Sequence, residues 1–457
     1  QFSDVFANSK VGLGTRVSAV LQNFNEGNIE STSRNLDLAV AGDGFFRYMD
    51  TSGEVVYSRN GQLSMTANGD LINAQGFQIM GYGLNAQGEV QVGGQPQALN
   101  VSAEELAASA TTNVSTVLNL DSRENISDEL NTAEVNGTEI DYHYANNFTV
   151  YDSLGNPLNT TVYYEKVGDN LWQAKVVADG AYDANNDFLM RFNSNGKLAG
   201  VGEPIDQALM DALADAETNL TAFQSVLGDL QEMSEDDWNN MDDTAAREAY
   251  LRSLSDNSEV QEAIDGIADF DDLAGVLASL ESSTDNAEDE RDLASQNVND
   301  AVAALTGNQV ALSFGATNGA EDVNYTLNLA GSTQFGNSST VSSLTQNGYT
   351  SGTLVGITID EDGVIMRNYS NEESRPAGQI SLVSFRNPEG LTPAGDNVWR
   401  ASNASGQELV GAPGTGLLGG IVAGAIETSN VDMAGELVNM IVAQRAYQAN
   451  YQKIYTQ

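Results

Sequence analysis

The sequence predicts a mainly β, multidomain protein with discontinuous nested domains, a long carboxyl-terminal α-helix and an inserted acidic α-helical domain. Three patterns support this prediction: short alternating runs divided by turn dipeptides, a change to helical spacing in mid-chain, and an apolar helical pattern at the end. The chain has 457 residues, enough for several domains with separate cores, and its 44 Gly are typical of a turn-rich protein.

The first pattern indicates antiparallel strands. From residue 35 to 92, runs such as "NLDLAVAG", "EVVYSRN" and "FQIMGYG" are separated by dipeptides that contain Gly. Asn60-Gly61 and Asn68-Gly69 are the strongest hairpin signals, because a two-residue hairpin turn needs positive φ at both positions. Similar runs begin near residues 147, 309 and 353. We therefore expect two-residue Asn-Gly hairpins within a strand-rich body.

The second pattern is the helical spacing between residues 203 and 306. Apolar residues three and four apart predict one helix from Ile205 to Leu230, another from Val260 to Leu280 and a shorter one from Leu293 to Leu305. This segment has 27 Asp or Glu and 3 Arg, a net charge of −24 out of −45 for the chain. A helical period between β runs favours a separate helical domain.

The third pattern is the closing segment, "ELVNMIVAQRAYQANYQKIYTQ". Its apolar seam has the spacing of a coiled coil, and no Gly, Asn or Pro ends the helix after Tyr455. Periodicity alone favours a helix packed on its own core, whereas the wide apolar face and missing stop signal favour burial against other subunits. The candidate subunit-interface residues are Leu437, Met440, Ile441, Gln444, Tyr447, Tyr451 and Ile454.

Composition disfavours several functions. A net charge of −45 argues against nucleic acid, whose phosphates need a basic protein face, and against anionic membrane surfaces. No apolar run reaches about 18 residues, so we expect no membrane span. Since Gln1 is not an initiator Met and no signal peptide follows it, we expect a chain that was cut or is part of a longer product.

Candidate catalytic and metal-binding groups are sparse. The chain has no Cys and one histidine, His143, so a Ser-His nucleophile or a zinc site would lack most of its parts. We expect His143 on a strand surface. The acidic run at Glu235 lacks the spacing of a calcium loop, and "GDGFF" and "GAPGTGLLGG" lack the context of a phosphate loop. We predict no enzyme activity and no catalytic, cofactor-binding or metal-binding residue.

Several stretches resemble the bacterial flagellar axial family, which comprises rod and hook proteins. They are "NLDLAVAGDGFFRYMDTSGEVVYSRNGQLSM", "NGYTSGTLVGITIDEDGVIMRNYSN", "GDNVWRAS" and "ETSNVDMAGELVNMIVAQRAYQANYQKIYTQ". The segment "VYDSLGNPLNTTVYYEK" is similar to the outer-domain opening of hook proteins in particular. The resemblance covers most of the chain except residues 202–306. Relative to the family pattern, the amino-terminal helix and the extreme carboxyl terminus are missing.

The resemblance implies a homo-oligomer, a curved helical tube whose terminal helices pack together and which acts as a universal joint carrying motor torque. It also implies three partners: the distal rod protein, the hook cap protein and the hook–filament junction protein. No nucleic acid and no membrane are expected as partners. The implied location is the extracellular hook of the flagellum, reached by flagellar type III export without a cleaved signal peptide.

The resemblance further implies a division into five parts. Residues 1–34 would be a linker, 35–112 with 346–426 an inner β domain, 113–202 with 307–345 an outer β domain, 203–306 the acidic insertion and 427–457 the terminal coiled-coil helix. The alternatives are a distal rod protein, which lacks the outer domain, a secreted β-rich adhesin, which needs no seamed terminal helix, and an enzyme.

Overall fold

The computed structural model describes residues 22–126, 130–316 and 318–455, with side chains up to residue 452. It divides into unit 1, which spans Gln1–Ala107 and Ser351–Gln457, and unit 2, which spans Ala108–Thr350. Unit 1 is therefore discontinuous, and unit 2 is inserted into its chain. The predicted mainly β architecture with nested domains, an acidic helical insertion and a long terminal helix is confirmed. The five-part division into residue ranges stays a prediction.

The elements are numbered along the chain. The first segment of unit 1 contains β1 (Ile29–Ser31), β2 (Asp37–Ala41), β3 (Phe45–Met49), β4 (Val55–Ser58), β5 (Gly61–Gln62), β6 (Ser64–Met65), β7 (Leu71–Ile72), β8 (Gln78–Tyr82) and β9 (Gln97–Ala98). Unit 2 begins with β10 (Asn113–Asp121), β11 (Asn131–Val135), β12 (Thr138–Tyr142), β13 (Tyr144–Tyr151), β14 (Pro157–Gly168), β15 (Leu171–Ala178), β16 (Ala181–Tyr182), β17 (Phe188–Phe192) and β18 (Leu198–Gly202).

The helices of unit 2 are α1 (Gln207–Gln231), α2 (Glu235–Asn239), α3 (Thr244–Leu254), α4 (Ser258–Asp265) and α5 (Leu273–Ala303). Unit 2 ends with β19 (Gln309–Phe314), β20 (Val323–Asn328), β21 (Thr333–Phe335) and β22 (Thr340–Gln346). The second segment of unit 1 contains β23 (Leu354–Ile359), β24 (Val364–Tyr369), β25 (Ser374–Ile380), β26 (Leu382–Ser384), β27 (Thr392–Gly395), β28 (Val398–Arg400), β29 (Leu409–Gly411), β30 (Gly420–Ala423), β31 (Ala425–Glu427) and helix α6 (Met433–Tyr455).

Unit 1 is held together by strand pairs between its two chain segments. Its largest sheet has the order β23-β24-β25-β8-β3-β4-β28-β27, so that three strands of the first segment lie between strands of the second. Strand β26 pairs with β3, which places Leu382 opposite Phe46, and both side chains are fully buried. Because each segment supplies half of the same sheet and core, neither can form this body alone.

A half-buried polar cluster lies beside this sheet. The guanidinium of Arg47 donates to both carboxylate oxygens of Glu408, each at 3.0 Å, and the Tyr57 hydroxyl donates to the same carboxylate at 2.7 Å. Burial raises the pKa of Glu408, but the hydrogen bonds from Arg47 and Tyr57 outweigh it and hold that pKa below its usual value. The cluster thus ties β29 to β3 and β4 through a charged carboxylate.

The two larger sheets of unit 2 share one core, and β11 and β12 form a separate two-stranded sheet. The first has the order β19-β20-β10-β21, with β22 also paired to β10, and the second has the order β13-β14-β15-β17-β18, with β16 paired to β15. Alternate residues of long strands face the core, as in β14, where Leu158, Val162 and Tyr164 are buried. The Trp172 indole donates to Gln334 Oε1 at 2.6 Å, which links the two sheets.

The insertion has a hydrophobic core of its own. Its buried residues are Leu220, Phe223, Val226, Leu230, Trp238, Leu251, Val260, Ile264, Ile267, Phe270, Leu273, Val276, Leu280 and Ala287. Beyond Ala216 of α1 and Ala287 of α5, towards the β strands, the two helices run as a stem whose side chains are exposed or half-buried. A bridge between Val201 and Thr306 brings the two ends of the insertion together.

The helix bounds inside the insertion differ from those predicted. The predicted helix from Val260 to Leu280 is wrong, because the chain leaves the helix at Gly266 and starts again after Asp272, whose side chain accepts the amide hydrogen of Ala274 at 3.1 Å. The segment from Leu293 onward is the end of α5 rather than a separate helix. Helices α2 and α3 were not predicted, since each is too short to show a clear period.

The turns also differ from the prediction. At Asn68-Gly69 only Gly69 has positive φ, and its amide donates to the carbonyl of Thr66 at 3.0 Å. The same turn, with Gly in fourth position, starts at Asp50, Thr66, Asn73, Asn85, Asp152, Asn193 and Asp360. The side chain of its first residue accepts the amide hydrogen four residues on, as Asp50 does from Glu54 at 2.9 Å.

The predicted two-residue hairpins are therefore wrong at both positions. The turn at Asn68 contains an extra residue, and Gly61 begins strand β5, where a Cβ would lie 2.3 Å from the carbonyl oxygen of Leu38. A two-residue turn with both φ values positive occurs instead at Asn136-Gly137, at 52° and 82°, between β11 and β12.

We predict that unit 2 keeps its β core without the insertion. Replacing residues 206–304 by a short Gly/Ser bridge removes a core separate from that of the sheets, so the thermal midpoint reported by Trp172 should change by no more than about 3 °C. Fluorescence in a Trp399→Phe background isolates Trp172, because Trp238 leaves with the insertion. Loss of the Trp172 transition would show that the insertion is part of the β core.

We predict that Glu408 makes the stability of unit 1 depend on acid. A folded-state pKa below the unfolded value of about 4.3 stabilises the fold above that value, and this contribution is lost as the pH falls through the lowered pKa. The unfolding free energy of Glu408→Gln should therefore fall less steeply than that of the wild type as the pH decreases from about 6 to about 3. Denaturant titrations followed by Trp399 fluorescence measure the unfolding free energy at each pH, and the exposed Glu389→Gln is the control. Equal slopes for wild type and Glu408→Gln would contradict this role.

Candidate functional site

Helix α6 is exposed along its described length. Every described side chain from Glu436 to Gln452 is exposed, including apolar ones that are normally found in cores. Leu437 is 53% exposed, Val442 60% and Tyr447 74%. The helix starts after Asp432, whose carboxylate accepts the amide hydrogen of Ala434 at 3.0 Å. Within the described residues, α6 is thus not packed on the core of its own chain.

The structure places most of the predicted interface residues together on this helix. The predicted residues Leu437, Met440, Ile441, Gln444, Tyr447 and Tyr451 are all exposed on α6. The side chain of Ile454 lies outside the described residues. Because positions three and four apart lie on one side of a helix, Met440, Gln444 and Tyr447 form a continuous stripe.

The root of α6 is a two-stranded ladder. Strand β1 pairs antiparallel with β31, with Ile29 opposite Glu427 and Ser31 opposite Ala425. Beyond the ladder, Thr428 donates through its amide to the carbonyl of Asn28 at 2.8 Å. Gly27 is required at this point, because a Cβ would lie 1.9 Å from the Thr428 carbonyl oxygen. The chain thus enters and leaves unit 1 as one close pair of segments.

A buried ion pair fastens this ladder to the β body. The guanidinium of Arg59 contacts the carboxylate of Glu427 at 2.7 Å, and their side chains are 14% and 9% exposed. Arg59 also donates to the carbonyl oxygens of Val40, Gly42 and Gly44 at 2.9–3.2 Å. The second carboxylate oxygen of Glu427 accepts the Gly27 amide hydrogen at 2.8 Å. One arginine therefore binds the last strand before α6 and the loop after β2.

An aromatic contact holds the incoming segment. Phe24 packs edge-on against Phe45 and Trp399, with ring centroids 5.4 Å from each. The Trp399 indole donates to Gln22 Oε1 at 2.7 Å. The amide of Asn430 donates to the carbonyl oxygen of Asn25 at 2.8 Å, which joins the incoming segment to the start of α6. Both segments are therefore fixed where they meet the body.

His143 has a structural environment. It lies at the bend between β12 and β13, half-buried against Trp172, rather than on a strand surface as predicted. The Lys166 amide donates to Nδ1 at 3.1 Å, so that Nε2 carries the proton and donates to the carbonyl of Asn125 at 2.9 Å. Both ring nitrogens are thus used to fix a loop.

The described residues form neither a metal-binding cluster nor a membrane-spanning helix. Within residues 22–126, 130–316 and 318–455, no three His, Cys, Asp or Glu side chains are grouped so that they could hold a metal ion. In the same part of the chain, no helix combines the length and the apolar character that crossing a membrane requires.

Sequence analysis missed the residues that anchor the helix. Arg59 and Glu427 are 368 positions apart, so no local pattern connects them. The available signal was Glu427 in the "ETSN" segment, an acidic residue that follows an apolar strand and precedes α6. Phe24 and Trp399 are similarly distant, and only a contact in space relates them.

Family comparisons cover most of the chain. Residues 39–111 match the flagellar hook protein FlgE/F/G D1 domain, residues 119–349 the flagellar basal body protein FlaE D2 domain, and residues 422–456 the flagellar basal body rod FlgEFG protein C-terminal family. The C-terminal match lies within unit 1 and the D2 match within unit 2, and the D1 match lies in unit 1 except for its last four residues, 108–111. The class that these matches define is the rod and hook proteins of the flagellum.

Individual relatives narrow this class. The flagellar hook protein FlgE of Escherichia coli (strain K12) is 33% identical, over 100% of this chain and 88% of the relative. The flagellar hook protein FlgE of Borreliella burgdorferi is 27% identical, over 98% and 82% respectively. The crystal structure of Helicobacter pylori flagellar hook protein FlgE2 aligns with a TM-score of 0.47 and 10% identity, covering 87% of this chain and 100% of that one.

The chain belongs to the flagellar hook protein family. This family consists of structural subunits of the flagellum and is not a family of enzymes. The curated relatives are hook proteins over the whole chain, so the rod protein, adhesin and enzyme alternatives are not favoured.

We predict that the Arg59–Glu427 pair is required for a stable unit 1. Glu427→Ala leaves a buried guanidinium without its counter-ion, which should lower the unfolding free energy by roughly 3–5 kcal/mol. Denaturant unfolding followed by Trp399 fluorescence measures this loss. Glu30→Ala, which removes an exposed carboxylate from the neighbouring strand β1, is the control and should be nearly silent. Equal effects of the two variants would contradict the anchoring role of Glu427.

Proposed function

We propose that this hook subunit assembles with copies of itself through α6, and that the polymer is a curved hollow tube serving as a torque-carrying joint. The observation that supports this proposal is the exposure of the apolar residues of α6. Membership of a structural flagellar family agrees with it. The role is mechanical rather than catalytic.

Energetics favour burial of α6 against other copies. Leu437, Met440, Ile441 and Tyr447 are 45–74% exposed, and at about 25 cal/mol per Å² the removal of such surface from water stabilises association. An isolated helix gains little from its own hydrogen bonds in water, so its stability depends on tertiary or subunit packing. In a helical lattice the same contact repeats at every subunit, so modest burial per copy adds along the polymer.

The charge distribution is compatible with close packing of these helices. From Met433 to Gln452 the sequence of α6 carries only Glu436 and Arg445 as charged residues. The acidic insertion, in contrast, carries a net charge of −24. Like charges on neighbouring copies repel over a Debye length of about 10 Å at 0.1 M salt. The charge-poor α6 is therefore suited to a subunit interface, and the insertion to a solvated position.

The remaining features of this proposal concern location and partners. The hook lies outside the cell, and flagellar type III export delivers the chain without a cleaved signal peptide. At its ends the tube would contact the distal rod protein, the hook cap protein and the hook–filament junction protein. Family membership supports these expectations, and neither nucleic acid nor a membrane has a role in them.

We predict that Leu437→Asp combined with Tyr447→Asp abolishes polymer formation. Each change places an unpaired charge in an apolar interface, a penalty that repeats at every lattice contact. Both residues are exposed in the single chain, so its thermal unfolding should be unaffected. Sedimentation measures the polymer and Trp399 fluorescence the fold.

The control for this experiment is Leu409→Asp. Leu409 is 60% exposed on β29, comparable to the 53% of Leu437, but it lies in the β body rather than on α6. A normal polymer from the α6 double variant would refute the proposed interface. Unfolding of the single chain would show instead that α6 packs on its own core.

A further inference from the structure

We propose that unit 1 carries a second, head-to-tail contact between copies, in which the side chain of Leu417 of one copy enters an apolar groove beside β23 of another. This inference rests on the proposed function, since it concerns copies that assemble, but it involves residues far from α6. It assigns a role to the glycine-rich "GAPGTGLLGG" segment, which lacks the sequence context of a phosphate loop.

Leu417 is an apolar side chain held out in water. It is 84% exposed, at the tip of the loop between β29 and β30. Backbone hydrogen bonds fix that loop: Gly414 donates to Gly419 at 2.9 Å, Leu418 to Thr415 at 3.0 Å and Gly419 to Asp43 at 2.7 Å. The neighbouring Leu418 packs against the core of unit 1. A loop fixed in this way presents Leu417 with little entropy left to lose on binding.

The groove has the complementary character. It measures about 270 Å³ and is lined by Leu36, Met65, Leu354, Val355, Gly356 and Ile357. Val355 is 71% exposed and Met65 41%, so the groove is open to solvent in the single chain. It lies below the range of about 300–1,000 Å³ that is usual for small-molecule sites. Its size and apolar lining fit an aliphatic side chain from a protein better than a metabolite.

The charges around the two features are complementary. Three exposed acidic residues lie beside the Leu417 loop. The main-chain carbonyl of Asp43 accepts the amide hydrogen of Gly419 at 2.7 Å, that of Glu361 accepts the amide hydrogen of Ile421 at 3.0 Å, and Asp362 Oδ1 lies 4.0 Å from the position of a Cβ on Gly414. Beside the groove, Arg34 is 56% exposed, donates to the carbonyl of Leu63 at 3.0 Å and forms an ion pair with the buried Asp37 at 3.4 Å.

Arg367 adds to the positive charge at the groove. It lies opposite the groove residue Ile357 on β24, on the same face of the sheet. Among the described residues no carboxylate forms an ion pair with Arg367, and its buried Nε has no hydrogen-bond partner. Carboxylates of a second copy that arrived with Leu417 would supply the missing charge. This charge complementarity favours the Leu417 loop of another copy as the occupant of the groove.

The arrangement has a consequence for symmetry. The protruding Leu417 and the groove are different patches of the same unit, so the contact is heterologous. A heterologous contact leaves one free Leu417 and one free groove on every pair, and repetition builds open chains rather than closed dimers. This is the type of contact that a filament requires.

Disulfide trapping tests the contact. The chain has no Cys, so each introduced thiol is the only one present. Leu417→Cys and Val355→Cys are prepared separately, mixed, allowed to assemble, separated by sedimentation and oxidised. We expect at least tenfold more disulfide-linked heterodimer than from the control mixture of Leu409→Cys with Val355→Cys, in which the donor residue is also exposed on unit 1. A single chain with both Leu417→Cys and Val355→Cys should give a ladder of linked oligomers.

The outcomes separate this inference from the proposed function. Sedimented polymer without excess heterodimer over the control overturns the Leu417 contact and leaves the α6 interface standing. Absence of polymer counts against the proposed function. In that case the amount of disulfide-linked heterodimer in the soluble fraction, relative to the control mixture, tests the Leu417 contact. A linked product that stops at dimers in the double variant would overturn the head-to-tail arrangement. Since both positions are exposed, thermal unfolding of each variant should match that of the wild type.

Discussion

The antiparallel ladder between β1 and β31, fastened by the Arg59–Glu427 ion pair, is the constraint on which the rest of unit 1 depends. The chain enters and leaves the body through this ladder, so every strand pair between the two segments of unit 1 lies beyond it. Arg59 donates to Glu427 and to the carbonyl oxygens of Val40, Gly42 and Gly44, and its side chain is only 14% exposed. The ion pair therefore fixes the last strand before α6 to the β body.

Apolar side chains of this molecule occur both in buried cores and on exposed surfaces. The cores of the two units and of the insertion are closed, with most aliphatic and aromatic side chains fully buried. The described apolar side chains of helix α6 and that of Leu417 are exposed, and backbone hydrogen bonds fix the loop that carries Leu417. Exposed apolar surface on a rigid element is what a protein–protein contact requires, whereas a mobile one would lose entropy on binding. The charge of the insertion keeps the same chain soluble while these surfaces are uncovered.

Local patterns were sufficient for the parts of the fold that local forces determine. The alternating runs, the acidic helical insertion and the terminal helix follow from side-chain periodicity alone. The prediction of a two-residue hairpin at Asn68 was wrong because a side chain two positions earlier determines the turn type. The hydroxyl of Thr66 accepts the amide hydrogen of Asp70, which favours the longer turn. The sequence predicted one helix where α4 and α5 are two, because the three-and-four spacing of apolar residues continues across the break between Gly266 and the helix cap Asp272. Arg59–Glu427 and the groove at Val355 depend on residues distant in sequence, which periodicity does not relate.

The discontinuity of unit 1 has a consequence for how the chain folds. Strand β3 meets β26 only after the whole of unit 2 has been synthesised, and closing so long a loop costs more entropy than closing a hairpin. The two ends of unit 2 meet at paired amides of Ser109 and Tyr349, each 2.9 Å from the other's carbonyl. Once unit 2 has folded, the segments of unit 1 are joined by a short connection instead of a long one. This topology favours folding of unit 2 before unit 1, because the folded insertion has already closed the loop that the strand pairs of unit 1 require.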